Sequence, residues 1–165
     1  MNSTPELTGS VTLRAATVDD RDFLLDLFAS TRSLELAALD PAQRLEFVKM
    51  QFNIQQQSYD ACYPAAENGI VLLAEQPIGR MLVERSQQNI MLVDIALLPD
   101  YRKRGIGSSL IQGLLNEAAA SQKSVRLSVY RANPAARLYE RLGFSKVGEE
   151  GLYVQMQWQA GSDPV

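Results

Sequence analysis

Arg102-Lys103-Arg104-Gly105-Ile106-Gly107-Ser108 divides two stretches of opposite texture. Before it, Ile90 to Leu98 is almost continuously apolar, the pattern of a strand covered on both faces, with Asp94 as its one interruption and Pro99-Asp100 as its end. After it, Ile106, Leu110, Ile111, Leu114, Leu115 and Ala118 recur at intervals of three and four, which predicts a helix from about Gly105 with one face on a core. In that order, the unpaired N–H groups of a helix start lie where glycines let a ligand approach the backbone, and Arg102, Lys103 and Arg104 add positive charge. Two readings are open on these residues alone: a phosphate site, and a glycine-eased turn with solvated arginines. A dinucleotide fingerprint fits less well, because Leu110 stands where its third glycine belongs. A P-loop fails, since no Gly-Lys-Ser/Thr is present.

Working outward, Val11 to Ala15 reads as a short strand, and Thr17-Val18-Asp19-Asp20 resembles a capping box that opens a helix bearing Phe23, Leu24, Leu27 and Phe28. Asp40-Pro41 starts a second helix, with Leu45, Val48, Phe52 and Tyr59 at rough helical spacing to about Ser58. Pro64 to Gly69 reads as a loop. Ile70 to Ala74 and Ile78 to Val83 form a predicted hairpin around Glu75-Gln76-Pro77. Downstream, Val125, Leu127 and Val129 alternate as a buried strand, and Pro134 to Leu142 is a short helix. Gly143-Phe144 turns the chain back, and Leu152, Val154, Met156 and Trp158 alternate in a closing strand. The expectation is a mixed α/β domain over residues 11–158, with flexible ends at 1–10 and 159–165.

Composition narrows the chemistry. A chain of 165 residues with 46% hydrophobic content suits one domain with one substantial core. A net charge of -3 gives no general grip on phosphate backbones, so nucleic acid is not an expected partner. No stretch of about 18 apolar residues occurs and Met1 to Ser10 lacks a signal-peptide pattern, so no membrane is expected and a cytoplasmic location is. The single cysteine, Cys62, excludes an internal disulfide and is expected to be buried. Histidine is absent, which removes Ser-His-Asp and Cys-His catalysis and every histidine-ligated metal site together. Any base must be a carboxylate or a water chain, unless the substrate's own equilibrium supplies the neutral amine.

A second motif stands downstream in Asn133-Pro134-Ala135-Ala136-Arg137-Leu138-Tyr139-Glu140-Arg141-Leu142-Gly143-Phe144. With the glycine segment, it resembles the GNAT superfamily of N-acetyltransferases, strongly from Ile90 to Phe144 and by element order from Val11 to Trp158. The resemblance implies a mostly antiparallel sheet of about seven strands, splayed in the middle and flanked by helices, with acetyl-CoA as cosubstrate and no metal. It implies that Arg102, Lys103, Arg104, Gly105, Ile106, Gly107 and Ser108 cradle the pyrophosphate. It further implies that Ile95, Ala96, Leu97 and Leu98 pair with the pantetheine arm, that Asn133 and Ala136 contact the cofactor, and that Tyr139 protonates the departing thiolate. The acceptor would be a small-molecule or peptide amine, with a homodimer left open.

Each residue also has a structural reading. Tyr139 can be a core aromatic, and Asn133 can be a helix cap. Asp94, a carboxylate inside an apolar strand, can face the acceptor cleft as a base or pair with Arg80, Arg85 or Arg126. Ser128 occupies a position where some relatives carry a glutamate base. That departure keeps a rival open, a protein of the same fold that senses acyl-CoA without turnover. Gln51, Gln55, Tyr59 and Tyr63 are candidates for lining the amine pocket.

Overall fold

The structure is a computed structural model that describes residues 9–161; residues 1–8 and 162–165, within the ends expected to be flexible, lie outside the described residues. In chain order the elements are β1 (Val11–Ala15), α1 (Arg21–Ser30), α2 (Ser33–Leu36), α3 (Pro41–Cys62), β2 (Glu67–Leu73), β3 (Gln76–Arg85) and β4 (Asn89–Leu97). There follow α4 (Ile106–Ser121), β5 (Ser124–Tyr130), α5 (Ala135–Arg141), β6 (Ser145–Glu150) and β7 (Tyr153–Trp158). The strands form a 7-stranded sheet in the order β1-β2-β3-β4-β5-β7-β6. Among the described residues only β4 and β5 pair in parallel; the helix α4 is the crossover between them.

Two apolar layers cover the sheet. On one face α4 and α5 pack Ile111, Leu115, Ala118 and Tyr139 over Val83, Leu92, Val125 and Met156. On the other, α1 to α3 pack Leu24, Leu27, Phe28, Val48 and Phe52 over Ile70. Phe28 and Phe52 meet edge to face at 5.8 Å, so truncating either to alanine costs about 3–5 kcal/mol. Helix α3 starts as its sequence dictates: Asp40 accepts the Gln43 N–H at 2.9 Å, the Gln43 side chain accepts the Asp40 N–H at 3.2 Å, and Pro41 fills the first helical position.

Several boundaries differ from the sequence expectation, each for a local reason. Pro64 to Gly69 is not all loop, because Glu67, Asn68 and Gly69 pair with Val83, Leu82 and Met81, and backbone pairing outweighs their low strand propensity. The hairpin turn falls on Ala74 and Glu75, both with positive φ, and Pro77 is accommodated in β3 where a bulge shifts the β2–β3 register. Helix α3 continues to Cys62, whose side chain is exposed rather than buried. Leu45 is exposed as well, since Val48 and Phe52 are the α3 residues that meet the sheet. The one-turn α2 has too short a pattern for periodicity to reveal. Leu152 lies exposed in the turn before β7 instead of in the strand.

Candidate active site

Strand β4 is not covered on both faces along its length. Ile90 and Leu92 are buried, but Val93 to Leu97 are only half-buried, because the neighbouring strand departs. The β4–β5 register runs from Asn89 opposite Ser124 to Leu92 opposite Leu127 and then stops, although the strands continue to Leu97 and Tyr130. The separation begins at a β-bulge. On the β3 side, Leu82 faces Asp94 and Val83 faces Leu92, so Val93 is an extra residue that bends β4 away. β5 stays paired with β7 through Val129 and Tyr130, which leaves a wedge between β4 and β5 lined by backbone groups without a partner strand.

The glycine segment caps one end of this wedge. Arg102 donates from Nε to the Leu97 carbonyl at 2.8 Å and from Nη2 to Ser30 Oγ at 3.2 Å, which ties the segment to the end of β4 and to α1. Lys103 and Gly105 both have positive φ, at 58° and 81°, and the chain then enters α4 with Gly105 as an N-cap that offers no side chain. The first bond of the helix is Ser109 N–H to the Gly105 carbonyl at 3.0 Å, so the N–H groups of Ile106, Gly107 and Ser108 have no acceptor in it. A Cβ placed on Gly107 would meet nothing within 4 Å, so protein packing gives no reason for glycine there. Open space above uncapped donors at a positive helix end fits a diphosphate, which supplies both the bulk and the charge the site lacks.

Asn133 and Tyr139 arrive through α5. Asn133 is exposed, and its Oδ1 accepts the Ala135 N–H at 2.9 Å, the cap expected of it, which leaves its amide nitrogen free to donate. Ala136 lies half-buried in the first turn. Tyr139 is 8% exposed and packs edge-on against Phe144 at 5.8 Å. Burial, and after it the nearby charge of Asp94, pushes its phenol up to about 12. It therefore holds its proton across the working range of most enzymes.

Asp94 sits on the opposite face from α4, beside Arg80 and not beside Arg85 or Arg126. Arg85 is engaged with Glu67 and Glu117, and Arg126 donates to Gln157. Its side chain keeps 26% of its surface open. Burial raises the Asp94 pKa above the usual carboxylate range, opposed by the positive Arg80 and by the Ile95 N–H. Arg80 donates from Nη1 to Gln56 Oε1 at 2.9 Å and lies over the Tyr59 ring at 5.6 Å. Burial and then the charge of Asp94 push the Tyr59 phenol up as well. Arg80, Asp94 and Gln55 share a cavity of about 50 Å³ with Leu24, Leu27, Phe28 and Phe52. Of the residues named for the amine pocket, Gln55 lines this cavity and Tyr59 covers Arg80. Gln51 and Tyr63 are half-buried and do not border it.

Residues 65–146 match the family described as an acetyltransferase (GNAT) domain. The chain belongs to the GNAT family. Among solved structures, the GNAT chain is similar to PaiA N-acetyltransferase from Thermoplasma acidophilum in complex with coenzyme A, at 15% identity over 91% of this chain and 99% of that one, with a TM-score of 0.67. It is similar to an acetyltransferase from Thermus thermophilus, at 18% identity over 91% and 97%, TM-score 0.65. It is also similar to Arabidopsis thaliana Naa50 in complex with the bisubstrate analogue CoA-Ac-MVNAL, at 17% identity over 91% and 99%, TM-score 0.60. At these identities the likeness is one of fold: a mixed α/β sheet of seven strands flanked by helices, as the two motifs implied.

One feature of this GNAT site escapes a reading of the sequence: the bulge at Val93 has no residue-type signature. Arg80, among the partners the sequence offers for Asp94, is marked by its place inside the apolar run Ile78 to Val83, as Asp94 is inside its own.

Proposed function

We propose that this chain transfers the acetyl group of acetyl-CoA to a primary amine by direct attack. The observation that carries the reading is the wedge beyond Leu92 and Leu127, flanked by the uncapped start of α4. PaiA was solved with coenzyme A and Naa50 with a bisubstrate analogue, which supports the same cosubstrate here. Acetyl-CoA supplies the activated acetyl group. The N–H groups of Ile106, Gly107 and Ser108 bind its diphosphate, and Arg102, Lys103 and Arg104 attract it. The free edge of β4 from Ile95 to Leu98 pairs with the pantetheine arm as an added strand would, and Asn133 and Ala136 hold that arm from the α5 side.

Asp94 faces the acceptor. Its raised pKa suits a base that takes the proton lost by the amine as the new C–N bond forms. As the C–S bond breaks, the Tyr139 hydroxyl gives its proton to the sulfur. Ser128 cannot act as a base, so Asp94 is the base in this scheme. The cytoplasm is the proposed location, on the strength of the single unpaired cysteine.

The test is release of free thiol from acetyl-CoA across a panel of amines. Amine-dependent release supports transfer. Tight binding of acetyl-CoA with no release for any amine favours the sensor reading.

A further inference from the structure

Arg80 is 3% exposed, the most buried charged side chain among the described residues. One of its nitrogens is satisfied, Nη1 by Gln56 at 2.9 Å. Nε and Nη2 are buried without a hydrogen-bond partner. These two lie along one edge of the planar guanidinium, where parallel N–H bonds match the two oxygens of a carboxylate. Asp94 does not fill that edge. Its Oδ2 stands 3.9 Å from Nε, an ion pair by distance but beyond hydrogen bonding. Buried donors left unmet are destabilising, so a fold that keeps two side by side calls for a ligand that meets them.

Arg80 helps to line a cavity of about 50 Å³. About 10–15 Å³ of such space is enough to hold one water molecule, so the cavity has room for a group of a few heavy atoms such as a carboxylate. Arg80 and Asp94 share its lining, a positive and a negative group side by side, with Phe28 and Phe52 among the apolar remainder. A compact zwitterion matches that arrangement charge for charge. A polyamine brings further positive charge against Arg80, and a bare alkyl amine leaves the edge unmet.

We infer that the acceptor amine carries a carboxylate, which seats on the Nε and Nη2 edge of Arg80 with the amino group against Asp94, so that the substrates are amino acids. This rests on the proposed acetyl transfer and narrows its acceptor. The amino acid's side chain then points out of the cavity and is read elsewhere.

The experiment compares each of the common amino acids with its carboxamide in the thiol-release assay. The carboxamide keeps the side chain and has a less basic amine, so on reactivity alone it is the better acceptor. The expected result is a preference for the acid of about a hundredfold or more in kcat/KM, seen mainly in KM. In Arg80→Met the preference disappears, while thermal stabilisation by coenzyme A is unchanged. Carboxamides, peptide amines or polyamines accepted as well as or better than amino acids by the unmutated protein overturn the inference and leave acetyl transfer standing. If no amine gives turnover, transfer fails, and calorimetry of the same pairs into the protein saturated with coenzyme A decides. Heat from acids and none from carboxamides supports the Arg80 seat; heat from neither, or from both alike, removes it.

Discussion

A leucine at Gly107 separates what the start of α4 needs for folding from what it does for a ligand. The position is helical with no positive φ, and a Cβ there meets nothing within 4 Å. Replacing a helical glycine with a good helix former stabilises by roughly 0.5–1 kcal/mol, which for a domain of this length raises Tm by about 1–4 °C. Gly105 provides the contrast, because its φ of 81° is strained for any other residue. Gly105→Leu costs roughly 1–2 kcal/mol and lowers Tm by about 2–8 °C. For the cofactor the ranking is different. Hydrogen bonds to a charged group contribute about 1.5–3 kcal/mol, and a leucine side chain over the uncapped donors displaces at least one of them. Coenzyme A should then bind Gly107→Leu about 10- to 100-fold more weakly, at about 1.4 kcal/mol per factor of ten. Calorimetric titration with coenzyme A and thermal unfolding without it give the two numbers independently. Gly107→Leu binding coenzyme A within about twofold of the unmutated protein would refute the placement of the diphosphate. Loss of binding together with loss of stability would refute the premise that only a ligand needs that space.

Tyr139→Phe keeps the ring against Phe144 and removes the proton donor, so kcat should fall by about a hundredfold with the KM for acetyl-CoA unchanged; an unaltered kcat removes the tyrosine from the reaction. Because the Asp94 pKa is raised by burial, the residue is still protonated at a pH where an ordinary aspartate is ionised. Activity should therefore rise with pH through a limb above about 4, and Asp94→Asn should abolish that limb along with most turnover; a limb that persists in the asparagine variant assigns it elsewhere. Asp20 accepts two bonds from Arg14 at 2.8 Å and one from the Thr17 N–H at 2.8 Å, with Arg14 the larger cause of a pKa lowered to about 2. Its contribution is whole above the unfolded value near 4 and is lost as pH falls from there towards 2. The urea midpoint should drop across that window less steeply in Asp20→Asn than in the unmutated protein, and equal slopes would contradict the assignment.

The sequence carried the order of elements because its patterns are periodic. The three- and four-residue spacing from Ile106 to Ala118 and the alternation of Val125, Leu127 and Val129 each name a face. The family entered through two motifs, one leading into α4 and one leading into α5. What stayed hidden has a common cause, since it depends on pairing between distant segments. Whether Ile90 to Leu98 is covered on both sides depends on how far β5 accompanies it, and the parting at Leu92 follows from a one-residue register shift against β3. The start of β2 at Glu67 likewise depends on Val83 across the sheet. Asp94 was conspicuous from its own surroundings, but its partner could be chosen only from geometry, which engages Arg85 and Arg126 elsewhere and leaves Arg80.

The account stands on a ligand lying in the wedge with its diphosphate at the head of α4. Amide resonances of the labelled protein, followed during titration with coenzyme A, locate that ligand directly. The largest shifts should fall on Gly105 to Ser108 and on Val93 to Leu97, with smaller ones near Asn133. Shifts confined to the residues that line the cavity between β1 and α4, among them Val11, Leu13, Leu110 and Gly113, or none at saturation, would contradict it.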